Sequence, residues 1–288
     1  MTNGSIVVAG LPGSGKTTFL AALWHLIFGR ELHTELSFKD IARGDYTHLN
    51  AITDRWLRAE EQERTLPGET QVVSLNLLDG QNETVQITFP DVAGETFSRM
   101  WEHRECPVEF GEMLQRGNVL LFINANKIVP PLRVLDLNQQ ANALEADAAE
   151  AAREEEPVAW SPQLTPTQVQ LVSLLSSLSE HPLDIGPRKL CVVLSAWDKA
   201  KEERLSPMAF LVRQLPLLAQ YLATNAKPWE CRVYGVSAQG GDYDGAGKRR
   251  EQAEQLRAMN EPSRRIFITR DGVEEGYDLT TALLWLAK

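Results

Sequence analysis

Cysteine is scarce in this chain of 288 residues: there are three, Cys106, Cys191 and Cys231, and no CxxC pair. An odd count without paired spacing speaks against a disulfide-stapled secreted scaffold and against a Cys-ligated metal module. Cys191 and Cys231 sit in apolar, strand-like runs and read as buried free thiols in a reducing compartment. Histidine is sparse too, five residues with no HExxH and no Cys/His cluster, so a structural zinc site is not expected. Long hydrophobic runs are missing. The longest, Phe19 to Phe28, is interrupted by His25 and falls far short of the roughly 20 residues that span a bilayer. The first apolar run, Ile6 to Ala9, is too short for a leader and leads straight into glycines, so the expected location is the cytoplasm. Positive charge is in deficit, 29 Lys and Arg against 39 Asp and Glu, a formal net charge of -10. Such a balance disfavours general nucleic-acid binding and docking on anionic membranes, both of which need clustered cations.

What is present is a rhythm of apolar runs and helical periods. Ser5 to Ala9, Val119 to Ala125, Leu190 to Ser195 and Cys231 to Ser237 read as buried strands. Helices are expected over Lys16–Phe28, from His48 to Glu61 behind a Thr47 cap, over Thr167–Ser179, from Ser206-Pro207 to Thr224, over Lys248–Met259, and over Leu279–Ala287 behind Asp278. Asp79-Gly80 and Asp271-Gly272 mark hairpins, the first joining Val72–Leu78 to Val85–Phe89. Alternating strands and helices predict an α/β fold: a three-layer sandwich with about six mostly parallel strands and an antiparallel strand at one side. One domain over 1–288 is expected, with insertions at 29–70, at 127–165 (acidic and Ala/Glu-rich) and at 240–276.

Gly10-Leu-Pro-Gly-Ser-Gly15-Lys16-Thr17 fits GxxxxGK[ST] without a gap, between a predicted strand and a predicted helix. Each residue type has a chemical reason. Glycines let the backbone turn its N–H groups onto phosphates with no Cβ in the way. The helix that follows points its positive end at the same anion. Lys16 supplies a charge for the β- and γ-phosphates, and the Thr17 hydroxyl a ligand for Mg²⁺. The phosphate-contacting set is Gly10, Gly13, Ser14, Gly15, Lys16, Thr17 and Thr18. A triphosphate site also needs a carboxylate to hold Mg²⁺, and Asp91, after the Val85–Phe89 strand, is the candidate.

The sequence Asp91-Val-Ala-Gly94-Glu95 resembles the DxxG motif of Ras-like GTPases. The resemblance implies that Gly94 offers an N–H to the γ-phosphate and that Glu95–Arg104 moves when that phosphate leaves. Where those proteins usually have Gln to orient the attacking water, this chain has Glu95, whose charge repels the γ-phosphate; slow intrinsic hydrolysis is therefore expected. The second magnesium ligand is expected from a threonine ahead of the Val72 strand: Thr65 first, then Thr70 and Thr47. Arg64 beside it is a candidate arginine finger in cis, against the alternative of a solvated surface charge.

Guanine is recognised by a carboxylate that accepts N1–H and N2–H together, a pair adenine lacks. Ser195-Ala196-Trp197-Asp198 resembles the [NT]KxD motif that carries such an Asp, with Ser195 for the first residue and Ala196 in place of the lysine that packs along the base. Trp197 or Lys199 is expected to compensate. Ser237-Ala238 resembles the SA[KL] motif, whose backbone contacts the guanine oxygen. With these motifs in order, residues 5 to 125, 167 to 238 and the last helix resemble GTPases of the translation-factor and Ras-like class. The narrower resemblance is to the bacterial double-GTPase group, through Trp56 and Arg64-Thr65 in a long polar switch region, DVAGE, and the Asp278-to-Leu286 ending. It implies a GTP/GDP-binding molecular switch with Mg²⁺, hydrolysing GTP slowly and working on partner proteins through its switch regions or insertions. A nucleotide-binding scaffold with negligible hydrolysis and an ATPase are the alternatives. Against the latter, no hydrophobic run ends in Asp-Glu.

Overall fold

The computed structural model describes residues 5–62, 71–91, 94–115, 117–131, 162–200, 204–245, 250–271 and 273–288. Among the described residues, nine strands form one sheet: β1 (Ser5–Gly10), β2 (Ser37–Arg43), β3 (Gln71–Leu78), β4 (Thr84–Asp91), β5 (Asn118–Asn124), β6 (Arg188–Ser195), β7 (Trp229–Ser237), β8 (Phe267–Arg270) and β9 (Val273–Gly276). They lie in the order β2-β3-β4-β1-β5-β6-β7-β8-β9. The central run β4-β1-β5-β6-β7 is parallel, and β2-β3 and β8-β9 extend it antiparallel at its two edges. The expected α/β architecture is thus present, in a sheet broader than six strands.

Both faces of the central strands are buried, which is why they read as continuous apolar runs. Ile6 and Val8 pack on one side with Phe19, Leu23, Trp56 and Leu283. Val7 and Ala9 pack on the other with Phe97, Leu171, Phe210 and Leu218. The first face is covered by α1 (Lys16–Gly29), α2 (Tyr46–Leu57) and the last helix (Thr280–Ala287). The second is covered by α3 (Gly94–His103), α4 (Val108–Leu114), α5 (Thr167–Leu178), α6 (Pro207–Gln214) and α7 (Pro216–Thr224).

Several elements differ from expectation. Within 29–70 the structure adds β2, whose residues are mostly exposed and whose charged side chains mask any strand pattern; it is an edge strand. Helix α2 begins at Tyr46 because Asp45, not Thr47, caps it: Asp45 Oδ1 accepts from the His48 amide at 2.8 Å. The helix expected to run from Ser206 to Thr224 breaks at Leu215-Pro216, since proline lacks the amide donor and disfavours helical geometry before it. Lys248–Met259 shortens to a helix at Glu251–Arg257. Helices α3 and α4 were not expected at all. Both predicted hairpins form, and Asp278 Oδ1 accepts from the Thr280 amide at 2.8 Å at the start of the last helix. Among the described residues no helix is long and apolar enough to cross a membrane. The three cysteines are free, and burial pushes the Cys231 thiol up to about 12.

Candidate functional site

The loop between β1 and α1 lies at the carboxyl ends of the parallel strands, where open α/β sheets bind ligands. Gly10 leaves β1 at φ 149°, and a Cβ there would stand 2.6 Å from the Phe122 carbonyl oxygen. Gly15 opens α1 at φ 90°, with its Cβ position 3.1 Å from Ser195 Oγ. Neither position accepts a side chain, so the loop hugs the sheet. At Gly13 the same Cβ would meet no atom within 4 Å, so this part of the loop faces open space. The first-turn amides of α1 have no carbonyl four residues back within the helix, and Gly15 brings no capping side chain. The positive end of the α1 dipole lies at this loop, an arrangement that favours an anion.

Lys16 Nζ lies over the loop, donating to the Gly10 carbonyl at 2.8 Å, the Leu11 carbonyl at 3.0 Å and Ser14 Oγ at 3.3 Å. It also sits 5.6 Å from the centre of the Phe97 ring of α3. These are neutral acceptors, which phosphate oxygens outcompete for an ammonium group. Ser14 is buried, while Thr17 and Thr18 are half-exposed on the first turn of α1.

Two neighbouring strand ends fasten this loop. Asn124, ending β5, donates through Nδ2 to the Gly13 carbonyl at 3.0 Å. Ser195, ending β6, donates through Oγ to the Ser14 carbonyl at 2.7 Å, with the Ile123 carbonyl at 3.4 Å. Sequence reading singled out Ser195 and missed Asn124; a polar residue closing the apolar run of β5 was the available clue.

After Ser195 the chain turns through Ala196 at φ 53° and forms one helical turn, Trp197–Ala200. Asp198 Oδ1 accepts from Ser237 Oγ at 2.8 Å, and Ser237 Oγ in turn accepts from the Gly240 amide at 3.0 Å. The sequence-predicted pair Ser237-Ala238 therefore stands directly beside Asp198. Trp197 does not compensate for the missing lysine at Ala196. Its indole is buried, edge-on to Phe210 at 5.2 Å, and fills the space over Gly235, where a Cβ would come within 2.5 Å of the ring. Lys199 is held elsewhere: its Nζ is 2.9 Å from Asp242 Oδ1 and 4.0 Å from Asp198 Oδ2. The Lys199 hydrogen bond, helped by Arg250, holds the Asp242 carboxyl below its usual range.

Asp91 ends β4. It stands three residues past Thr88, the last β4 residue paired with β1, and opposite Gln71 of β3. Gly94 is the first residue of α3 and Glu95 the second. Arg64, Thr65 and Thr70 lie outside the described residues, as does most of the acidic insertion. A hydroxyl at Thr17 and a carboxylate at Asp91 are hard oxygen donors of the kind Mg²⁺ takes, so these residues fit that ion.

A family model described as Double-GTPase 1 matches residues 7–286. No curated protein matches the chain. Among solved structures, it is similar to the GTPase-like domain of Ski7 from S. cerevisiae bound to GTP. That pair shares 13% identity at a TM-score of 0.41, covering 86% of this chain and 46% of that one. It is similar also to a bacterial selenocysteine-specific elongation factor, at 12% identity and a TM-score of 0.38. There the match covers 83% of this chain but spans only 27% of the factor. A signal recognition particle receptor complex from Chaetomium thermophilum matches at 13% identity and a TM-score of 0.37, over 85% of this chain and 95% of that one. Similarities this loose carry no argument about the site.

Proposed function

The chain belongs to the double-GTPase 1 family and is a GTP-binding protein; from that premise we propose that it is a regulatory switch that hydrolyses GTP slowly to GDP and phosphate. The observation that supports this most directly is the pair of hydroxyl links that tie the phosphate loop to Asp198: Ser195 Oγ to the Ser14 carbonyl, and Ser237 Oγ to Asp198 Oδ1. One rigid arrangement then presents amides for a polyphosphate and a carboxylate for a base.

In this reading the amides of Gly13 to Thr18 and Lys16 Nζ bind the phosphates, and Thr17 and Asp91 hold Mg²⁺, which neutralises charge on the phosphate oxygens when bound. Asp198 accepts N1–H and N2–H of guanine through the edge that Ser237 leaves free, and the Ala238 amide meets the guanine oxygen. Gly94 offers its amide to the γ-phosphate. Glu95 orients water poorly, because its carboxylate repels the same phosphate. Thr65 completes the magnesium shell and Arg64 supplies charge in cis. Partner proteins act through the switch segments or the insertions 29–70, 127–165 and 240–276.

The test begins by denaturing the purified protein and identifying the released nucleotide by chromatography. GDP or GTP is expected; adenine nucleotides, or binding of neither GTP nor ATP in the presence of magnesium, would overturn the reading. A single-turnover assay then addresses hydrolysis, expected on the order of 10⁻³ s⁻¹ or slower without a partner. Rapid turnover by the isolated chain would remove Glu95 as the brake. Undetectable turnover would favour the scaffold reading.

A further inference from the structure

A single indole joins α2 to the loop that follows β7. Trp56, fully buried, donates from Nε1 to the Ala238 carbonyl at 2.8 Å. Ala238 directly follows Ser237, whose hydroxyl donates to Asp198. Two side chains pack against the indole. The His25 ring lies 5.1 Å from it, and the Arg265 guanidinium stands 5.1 Å over it. The same Arg265 closes the end of α2, donating to the Trp56 carbonyl at 2.9 Å and the Leu57 carbonyl at 3.2 Å. Farther along, Asp244 pairs with the chain after α2 through main-chain bonds, Asp244 N to the Ala59 carbonyl at 2.8 Å and Glu61 N to the Asp244 carbonyl at 2.9 Å. Gly240, at φ 79°, passes so close to Arg265 that a Cβ there would lie 2.5 Å from its carbonyl oxygen.

We propose that Trp56 is a positioning residue of the guanine site, its indole N–H holding the 237–240 turn so that Ser237 keeps the Asp198 carboxylate aimed at the base. The inference rests on Asp198 reading guanine. Its physical content is that a carboxylate accepting two parallel N–H bonds tolerates little misorientation, while one free rotation at Asp198 would spoil that geometry. Ser237 fixes the rotation, and Trp56 fixes the segment carrying Ser237.

The role separates from simple stability by base dependence. ADP shares the sugar and phosphates of GDP but not the N1–H and N2–H pair. Calorimetry of GDP and ADP binding to the full chain, well below its melting temperature, compares wild type with Trp56→Phe, which keeps an aromatic ring and loses the donor. Loss of one hydrogen bond's alignment is expected to weaken GDP roughly five- to tenfold and leave ADP within about twofold. An unchanged preference, or equal weakening of both nucleotides, would overturn the proposal. Should Trp56→Phe not melt cooperatively, Gly240→Ala displaces the same turn from its other side, with the same outcomes expected and excluded. A wild type with no preference for GDP over ADP would instead sink the guanine reading at Asp198, whatever the variants do.

Discussion

The Ser195 hydroxyl donates to the Ser14 carbonyl at 2.7 Å, joining residues 181 positions apart. Ser195 stands at the end of β6 and begins the turn to Asp198, so one hydroxyl orders the phosphate loop and the base turn together. Ser195→Ala is expected to leave the fold intact and raise the GDP dissociation constant about fivefold, the worth of a typical buried hydrogen bond. Most of the change should appear as faster release of a fluorescent GDP analogue. Ser195→Thr, which keeps the donor, should restore most of the affinity.

Glycine substitutions in the phosphate loop should separate folding from binding. At Gly10 a Cβ would press within 2.6 Å of the Phe122 carbonyl oxygen, inside the sheet. Gly10→Ala is therefore expected to lower the urea midpoint steeply or prevent folding. At Gly13 the Cβ enters open space and costs only the left-handed backbone at φ 66°, roughly 1–2 kcal/mol. Gly13→Ala should fold and yet bind GTP poorly, because in the proposed reading the methyl occupies the side the phosphates approach. A folded Gly13→Ala with wild-type affinity would show that the phosphates pass elsewhere.

Much of this site was legible because phosphate binding demands contiguous residues. Leu11 to Gly15 form the loop between β1 and α1, and Asp91, Ser195 and Ser237 each close a strand that the sequence shows as an apolar run. What stayed hidden is either at an edge or long-range. Strand β2 carries Lys39, Asp40 and Arg43 on an exposed edge, where no burial imposes alternation. Asn124 was one polar residue among apolar ones, and only the fold shows that it meets Gly13. The Trp56–Ala238 bond spans 182 residues, and no local pattern can announce it. Trp197 beside Asp198 suggested a base-stacking role from adjacency alone; the close approach of Gly235 shows that it belongs to the core.

Arg188 is a buried cation that has no carboxylate in hydrogen-bonding contact among the described residues. It donates to the carbonyls of Leu114 at 2.7 Å and Leu183 at 3.2 Å, and also to that of Leu178, with Trp229 at 5.1 Å from its guanidinium. Burial pulls it down to about 10, with Asp184 opposing, so it stays charged at neutral pH. Its bonds gather the ends of α4 and α5 around the first residue of β6. Arg188→Met matches the length of the side chain but strands three carbonyls. The expected loss is about 2–4 kcal/mol, read as a lower urea midpoint. Nucleotide affinity of the folded fraction should not change, since the residue lies at the opposite end of β6 from Ser195.

His25 gives the fold an acid-sensitive joint. Its Nε2 lies 3.0 Å from Glu31 Oε1, and Glu31 Oε2 accepts from the Ser263 amide at 2.9 Å. Burial lowers His25 below its ordinary 6.5 more strongly than Glu31 raises it, with nearby Arg265 lowering it further. For Glu31 the balance is reversed: burial pushes it up, but the Ser263 bonds and His25 outweigh that and leave it below 4.5. A depressed folded value means that the unfolded chain binds the proton more readily. His25 therefore contributes stability that is fully present above 6.5 and is lost as pH falls below it, at a slope of at most about 1.4 kcal/mol per pH unit. Glu31 adds a second loss only below 4.5. Between pH 7.5 and 5.5 the urea midpoint of the wild type should fall, and His25→Gln, which cannot titrate but can still donate to Glu31, should flatten that fall. An equal slope in the variant would show that the proton uptake does not belong to His25.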